Sequence, residues 1–172
     1  MGLEIAPAKE RADLLAAPVE AALANWSAEV GVAEIDPDLA DTAAFCEAYD
    51  QPLEESANCV VVAGRRSGET RMAACLVLAT TRADINNVVR RKMDVRKVSF
   101  APMEDAVAQT GMEYGGITPV GLPAGWPIYI DAAVAATAKV VIGSGVRRSK
   151  LIVPGAALAE LPGAEVIDNL AR

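Results

Sequence analysis

The residues best suited to chemistry lie in a short glycine-dense segment, Tyr114-Gly115-Gly116-Ile117-Thr118-Pro119-Val120-Gly121. Two adjacent glycines let a backbone approach a ligand closely or take up positive φ, and Pro119 stiffens the exit. Such a loop can aim backbone N–H groups at a carbonyl or carboxylate. An ordinary packed turn has the same composition, and the residues alone leave both readings open. Gly143-Ser144-Gly145 is a second glycine turn. A dinucleotide fingerprint would need a third glycine where Arg148 stands, and a βαβ unit with an acid about 20 residues on. No Gly-Lys-Ser/Thr run makes it a phosphate loop, so it reads as a tight turn between strands.

What is missing narrows the chemistry further. The chain has no histidine, which removes Ser-His-Asp triads, Cys-His dyads and His-ligated metals. Cys46, Cys59 and Cys75 are far apart with no C-x-x-C spacing, so no structural zinc is expected. Each sits in an apolar context and reads as a buried thiol. No His-ligated metal and no structural zinc are therefore expected.

The elements that must position these residues read as one mixed α/β domain. The chain of 172 residues is 52% apolar and only 4% aromatic, which suits a single aliphatic core. Residues 8–27 have helical spacing broken near Pro18, and Asp38 to Tyr49 reads as a helix capped by Asp38. Cys59–Ala63 and Thr70–Ala79 flank Arg65-Arg66-Ser67-Gly68 as a hairpin. Asp84 caps a helix through Arg91, Val95–Phe100 reads as a strand, and a helix opens at Ala101-Pro102 and closes at Thr110-Gly111. Strands follow at Ile128–Asp131, Lys139–Ile142 and Lys150–Val153, and Pro154 opens a terminal helix. Helices and strands alternate irregularly, which argues against a regular doubly wound sheet.

Charge is uneven. Residues 1–55 carry a net −11 and residues 56–172 a net +4, giving −7 overall. An acidic whole disfavours nonspecific nucleic-acid binding, while the basic part is able to carry a local phosphate-binding face. Candidates are Arg65, Arg66, Arg71, Arg90, Arg91, Lys92, Arg96, Arg147, Arg148 and Lys150. No apolar run approaches a membrane span, and Met1–Lys9 does not read as a secretory signal, so the expected location is cytoplasmic.

Several of these segments, in order, resemble the YbaK/prolyl-tRNA-synthetase-associated family of aminoacyl-tRNA editing domains. The resemblance is carried by Lys97-Val-Ser-Phe-Ala-Pro-Met-Glu-Asp-Ala, by Thr110-Gly111, and by the Gly115-Gly-Ile-Thr-Pro-Val-Gly121 loop. It continues through Tyr129-Ile130-Asp131 and Val141 to Pro154, and upstream through Ala43 to Val62, covering roughly residues 30–160. Residues 1–30 then read as a helical N-terminal extension and 31–172 as the editing domain.

The resemblance implies a mixed, barrel-like sheet flanked by helices, and a free-standing member that acts in trans. Its activity would be hydrolysis of the ester joining a small wrong amino acid, such as Ala or Cys, to tRNA. The implied partner is the aminoacylated tRNA 3′ end, with no DNA, no membrane and no cofactor; monomer and homodimer both stay open. Asn58, Gly115 and Asp131 are the implied catalytic positions, and Gly116, Ile117, Thr118, Pro119, Gly143 and Ser144 the implied substrate contacts. Asn58 stands where the family deacylases carry lysine, within Ala57-Asn58-Cys59-Val60-Val61. An amide hydrogen-bonds but supplies no charge, so the alternative is a noncatalytic binder of tRNA ends or amino-acid-like ligands. Cys59 beside it has no histidine to activate it and points to the other face of the strand.

Overall fold

The computed structural model describes residues 2–172. Along the chain run strands β1 (Ile5–Pro7), β2 (Gly31–Glu34), β3 (Ala57–Arg66), β4 (Glu69–Leu78), β5 (Lys97–Phe100), β6 (Ile128–Asp131), β7 (Lys139–Gly143), β8 (Ser149–Pro154) and β9 (Ala164–Ile167). Between them lie helices α1 (Ala17–Leu23), α2 (Thr42–Ala48), α3 (Arg90–Met93), α4 (Met103–Thr110) and α5 (Ala132–Ala135).

The strands form two sheets. One is antiparallel throughout, in the order β1-β2-β8-β7; the other, β5-β3-β4-β6-β9, is mixed, with β4/β6 and β6/β9 parallel. A bridge between Ser56 and Val141 links them beside the start of β3. Closing a barrel requires the outer strands to pair. Here β1, β5 and β9 each have a strand partner on one side only, so the expected barrel-like sheet is an open pair of sheets.

Local sequence explains most of the elements. Ser67 and Gly68 both have positive φ (52° and 80°), the two-residue turn that suits the right-handed twist of the β3–β4 hairpin. Gly111 ends α4 in the left-handed conformation. Asp84 caps the next segment as read from sequence, accepting from the Asn87 N–H, although its first turn, Ile85–Val89, is a π-helix that leads into α3.

Three expectations are corrected. Residues 8–14 form two 3-10 turns and only α1 is α-helical, with Pro18 in its first turn, where no N–H is needed. The residue that caps at the second predicted helix is Asp36, which accepts from Asp38 N–H and makes a short 3-10 turn at Pro37–Leu39; α2 starts only at Thr42. The terminal segment after Pro154 is a 3-10 turn, Gly155–Glu160, and then β9 returns parallel to β6.

The main core fills the space between the sheets, with Leu76, Ile130, Ile142 and Leu151 all buried. The N-terminal segment is built into it: Val19, Leu23 and Trp26 are buried there, and Trp26 Nε1 donates to the Ala157 carbonyl at 3.3 Å. Each such apolar side chain contributes about 1.5–3 kcal/mol by burial. On the far face of the first sheet, α2 lays Phe45, Cys46 and Tyr49 against Val141 and Ile152. No helix among the described residues is long and apolar enough to cross a membrane.

Candidate active site

The two sheets meet where β3 begins and β7 ends, and a cavity of about 520 Å³ opens at that seam. Its polar wall is assembled from the start of β3, the start of α2, the glycine loop, the end of β7 and the start of β8. Asn58, the second residue of β3, is half-buried, and its Oδ1 accepts from Thr42 Oγ1 at the start of α2 at 2.5 Å. That bond uses the acceptor end of the amide and leaves Nδ2 without a partner among the described residues. Asn58, Thr42, Gly115, Ile117, Gly143 and Lys150 all line the cavity.

Tight backbone approach holds the glycine loop in place. Gly115 has φ +87°, and a Cβ there would collide with Nη1 of Arg147. That guanidinium donates to the carbonyls of Tyr114 and Pro37, while the Arg147 N–H donates to Glu113. Arg147 thus staples the glycine loop to the segment that leads into α2. Gly143 has ordinary φ but no room: a Cβ would lie 2.6 Å and 2.7 Å from the carbonyl oxygens of Gly116 and Ile117. The N–H groups of Gly115 and Ile117 make no hydrogen bond among the described residues, so both remain available as donors.

Sequence reasoning missed two residues of this wall. Thr42 had no signal beyond its place in a helix. Lys150 reads as a surface cation because it follows Arg147 and Arg148, yet it is only 7% exposed. Its one available clue is that it opens an apolar strand, Lys150-Leu151-Ile152-Val153. Lys150 and Ile152 share the sheet face that α2 covers. The Lys150 ammonium donates to the Ala40 carbonyl at 2.8 Å and lies 5.2 Å from the Phe45 ring centroid. It forms no ion pair among the described residues. Burial is the main cause that pulls its pKa below the ordinary lysine value; Arg147 acts the same way, while Cys46 and Asp41 oppose it.

The other positions implied by resemblance lie outside the cavity lining. Ser144 is fully buried, hydrogen-bonded among the Val146 and Ser149 backbone and the Ser149 hydroxyl, and it braces the β7–β8 turn. The Gly116 carbonyl accepts from Gly145 N–H at 2.7 Å. Pro119 lines a separate apolar cleft with Trp26 and Trp126. Thr118 is buried, with no hydrogen-bond partner for its hydroxyl. Asp131 is buried at the end of β6; burial raises its pKa, while the nearby backbone N–H groups of Leu170, Ala132 and Ala171 act to lower it. Its carboxylate thus lies beside the C-terminal residues and not in the cavity wall. Cys59, expected to point away, does line the cavity, but it also packs partly against the main core, and burial pushes its thiol far above the ordinary range, so it offers no thiolate.

A second groove, about 780 Å³, adjoins the cavity and shares Phe100 and Ala101 with it. Arg65, Arg90, Arg96 and Lys97 line it. Arg65 and Lys97 are direct cross-strand partners, so two like charges share one face. Neither forms an ion pair among the described residues. Other cations of the basic region are already engaged: Arg66 with Asp94, Arg71 with Glu69, and Lys92 with Glu165. Phe100, Met103 and Tyr114 stand exposed and also border the cavity.

The chain belongs to the aminoacyl-tRNA editing domain family, whose model matches residues 36–161. Proteins of that family act on aminoacyl-tRNA. Among solved structures, the chain is similar to a protein assigned as a trans-editing enzyme for prolyl-tRNA synthetase, at 22% identity and TM-score 0.73, covering 89% of this chain and 94% of that one. It is also similar to a hypothetical protein at 20% identity and TM-score 0.79, covering 90% and 99%. A third likeness is to a scaffold used for computational epitope grafting, at 22% identity and TM-score 0.75, covering 89% and 95%. These likenesses establish the fold. No curated protein sequence matches the chain.

Proposed function

We propose that this chain is a trans-acting aminoacyl-tRNA deacylase that removes a small amino acid, such as Ala or Cys, from a mischarged tRNA. One observation carries the reading: Asn58, Gly115 and Ile117, brought together from β3 and the glycine loop, line one cavity, and each has a donor without a partner among the described residues. The remaining wall includes aliphatic Ala57, Val61, Ala101 and Met103 beside Asp41, Phe100 and Tyr114, and its aliphatic part suits a small uncharged side chain.

An aminoacyl ester is already activated, so a positioned water and a stabilised oxyanion suffice. Water adds to the carbonyl carbon, and Asn58 Nδ2 and the N–H groups of Gly115 and Ile117 serve as donors to the developing oxyanion. The C–O bond to the ribose then breaks, the water's proton ends on the ribose oxygen, and free amino acid leaves. The neighbouring ribose hydroxyl assists as a proton carrier. Arg65, Arg90, Arg96 and Lys97 bind the phosphates next to the acceptor end, and exposed Phe100 offers a stacking surface at the junction of groove and cavity.

A panel of aminoacyl-tRNAs scored for protein-dependent deacylation tests this. Loss of alanyl- or cysteinyl-tRNA is the expected result. Tight binding of the acceptor end with no hydrolysis of any species would replace the enzyme with a noncatalytic binding module.

A further inference from the structure

Lys150 is an expensive residue where it stands. An ammonium taken out of water without an acid costs stability, and buried lysines are ordinarily paired. The nearest acid that acts on it, Asp41, is exposed and pairs with Arg147 instead. The Ala40 carbonyl takes one of the three N–H donors, and the Phe45 ring offsets part of the charge. The remaining donors have no partner among the described residues. On the neighbouring strands Lys150 faces Ala33 of β2 and Gly143 of β7, neither of them charged. From α2 and the β7–β8 turn, the groups that act on it are Cys46, Asp41 and Arg147.

The position of this cation gives it a task. Lys150 is anchored to residue 40 and Asn58 to residue 42, so their polar groups converge on one short segment from opposite sheets, and both line the cavity. We propose that Lys150 supplies the charged donor of this cavity, binding the ester carbonyl oxygen and the negative charge that grows on it. It remains protonated throughout; the bonds that form and break are those of the hydrolysis described above, on which this inference rests. A cavity whose β3 position holds a neutral amide thereby obtains its ammonium from β8.

The experiment compares the wild type with Lys150→Met, Lys150→Arg and Lys150→Met/Asn58→Lys. Readouts are deacylation of the mischarged-tRNA panel, thermal melting, and calorimetric binding of an amide-linked aminoacyl-adenosine that cannot be hydrolysed. Lys150→Met is expected to keep or raise Tm, since it removes an unpaired buried charge, while kcat/KM drops roughly a hundredfold, as when one oxyanion donor is removed. Adding Asn58→Lys, which returns an ammonium from the other sheet, is expected to restore activity. With spontaneous ester hydrolysis subtracted, the wild-type rate falls at alkaline pH below the ordinary lysine range, and Lys150→Arg moves that limb upward.

Wild-type rates in Lys150→Met overturn the inference and leave the deacylase reading intact. If Lys150→Met is both inactive and unstable, the double variant decides: activity regained at the same low Tm upholds the ammonium's role, and continued inactivity refutes it. If the wild type hydrolyses no aminoacyl-tRNA yet binds the amide analogue in a Lys150-dependent way, the deacylase reading fails and the binding role stands. Equal analogue binding in wild type and Lys150→Met, or none in either, refutes the role of Lys150.

Discussion

Thr42 donates its hydroxyl to Oδ1 of Asn58, joining the start of α2 to the start of β3 across the candidate cavity. The bond fixes which end of the amide remains free, so Thr42 determines what Asn58 offers a substrate. Asn58→Ala is expected to lower kcat/KM by roughly five- to tenfold, the equivalent of one neutral hydrogen bond of about 1 kcal/mol. Thr42→Val leaves the amide in place but free to turn, and its loss should be smaller. Asn58→Lys alone brings a second ammonium close to Lys150, so its rate optimum shifts to lower pH. Initial rates across pH check all three. Unchanged rates in Asn58→Ala, with only the melting point moved, would take Asn58 out of the site.

Gly115 and Gly143 are expected to fail in different ways. At Gly115 the obstacle is positive φ plus the movable Arg147 side chain. Gly115→Ala should therefore cost about 1 kcal/mol of stability and a larger share of activity. At Gly143 the obstacle is two backbone carbonyls of the glycine loop, which have nowhere to go. Gly143→Ala should displace the loop and lower Tm and activity together. Denaturant melts beside deacylation rates separate the two patterns, and full turnover in a folded Gly115→Val variant would remove the loop from catalysis.

The like-charged pair Arg65 and Lys97 predicts opposite effects on stability and binding. Lys97→Ser should leave Tm unchanged or raise it, because cross-strand repulsion is relieved. The same change should weaken tRNA binding and reduce the slope of log affinity against log salt by about 0.7–0.9 for each phosphate that is no longer neutralised. A salt titration of tRNA binding measures this directly. An unchanged slope in the Arg65→Ser/Lys97→Ser variant would place the phosphates elsewhere.

Thr118 sits within the glycine segment, yet its buried hydroxyl has no partner among the described residues. A buried hydroxyl without a hydrogen bond costs about 1–3 kcal/mol. Thr118→Val keeps the shape and removes that cost, so Tm should rise while kcat/KM stays at the wild-type value. A fall in kcat/KM with unaltered Tm would show instead that the hydroxyl meets the substrate.

The sequence alone determined the features that depend on neighbours along the chain. The β3–β4 hairpin, the Gly111 cap, the Asp84 cap and strands β6 to β8 follow from turn residues, caps and runs of β-branched side chains, all local signals. The glycine loop and the resemblance around it located the family in the same way, since close backbone approach leaves its mark in residue type. β1, β2 and β9 were not legible: they are three or four residues long and exist because other strands pair with them. The composition of the cavity was decided by tertiary structure alone. Asn58 and Gly115 were nameable from sequence, but Lys150 follows two arginines that are less buried than it is. Only the packing of α2 over the face it shares with Ile152 turns it inward, and only the meeting of the two sheets brings it to the same cavity as Asn58. Asp131 and Ser144 illustrate the converse, because the family resemblance implied contacts with substrate, whereas Asp131 lies beside the C-terminal residues and the Ser144 hydroxyl bonds within the β7–β8 turn. A side chain's chemistry is written in the sequence; what it faces depends on contacts between residues far apart in the chain, such as Lys150 and Ala40, 110 positions apart, which no local pattern encodes.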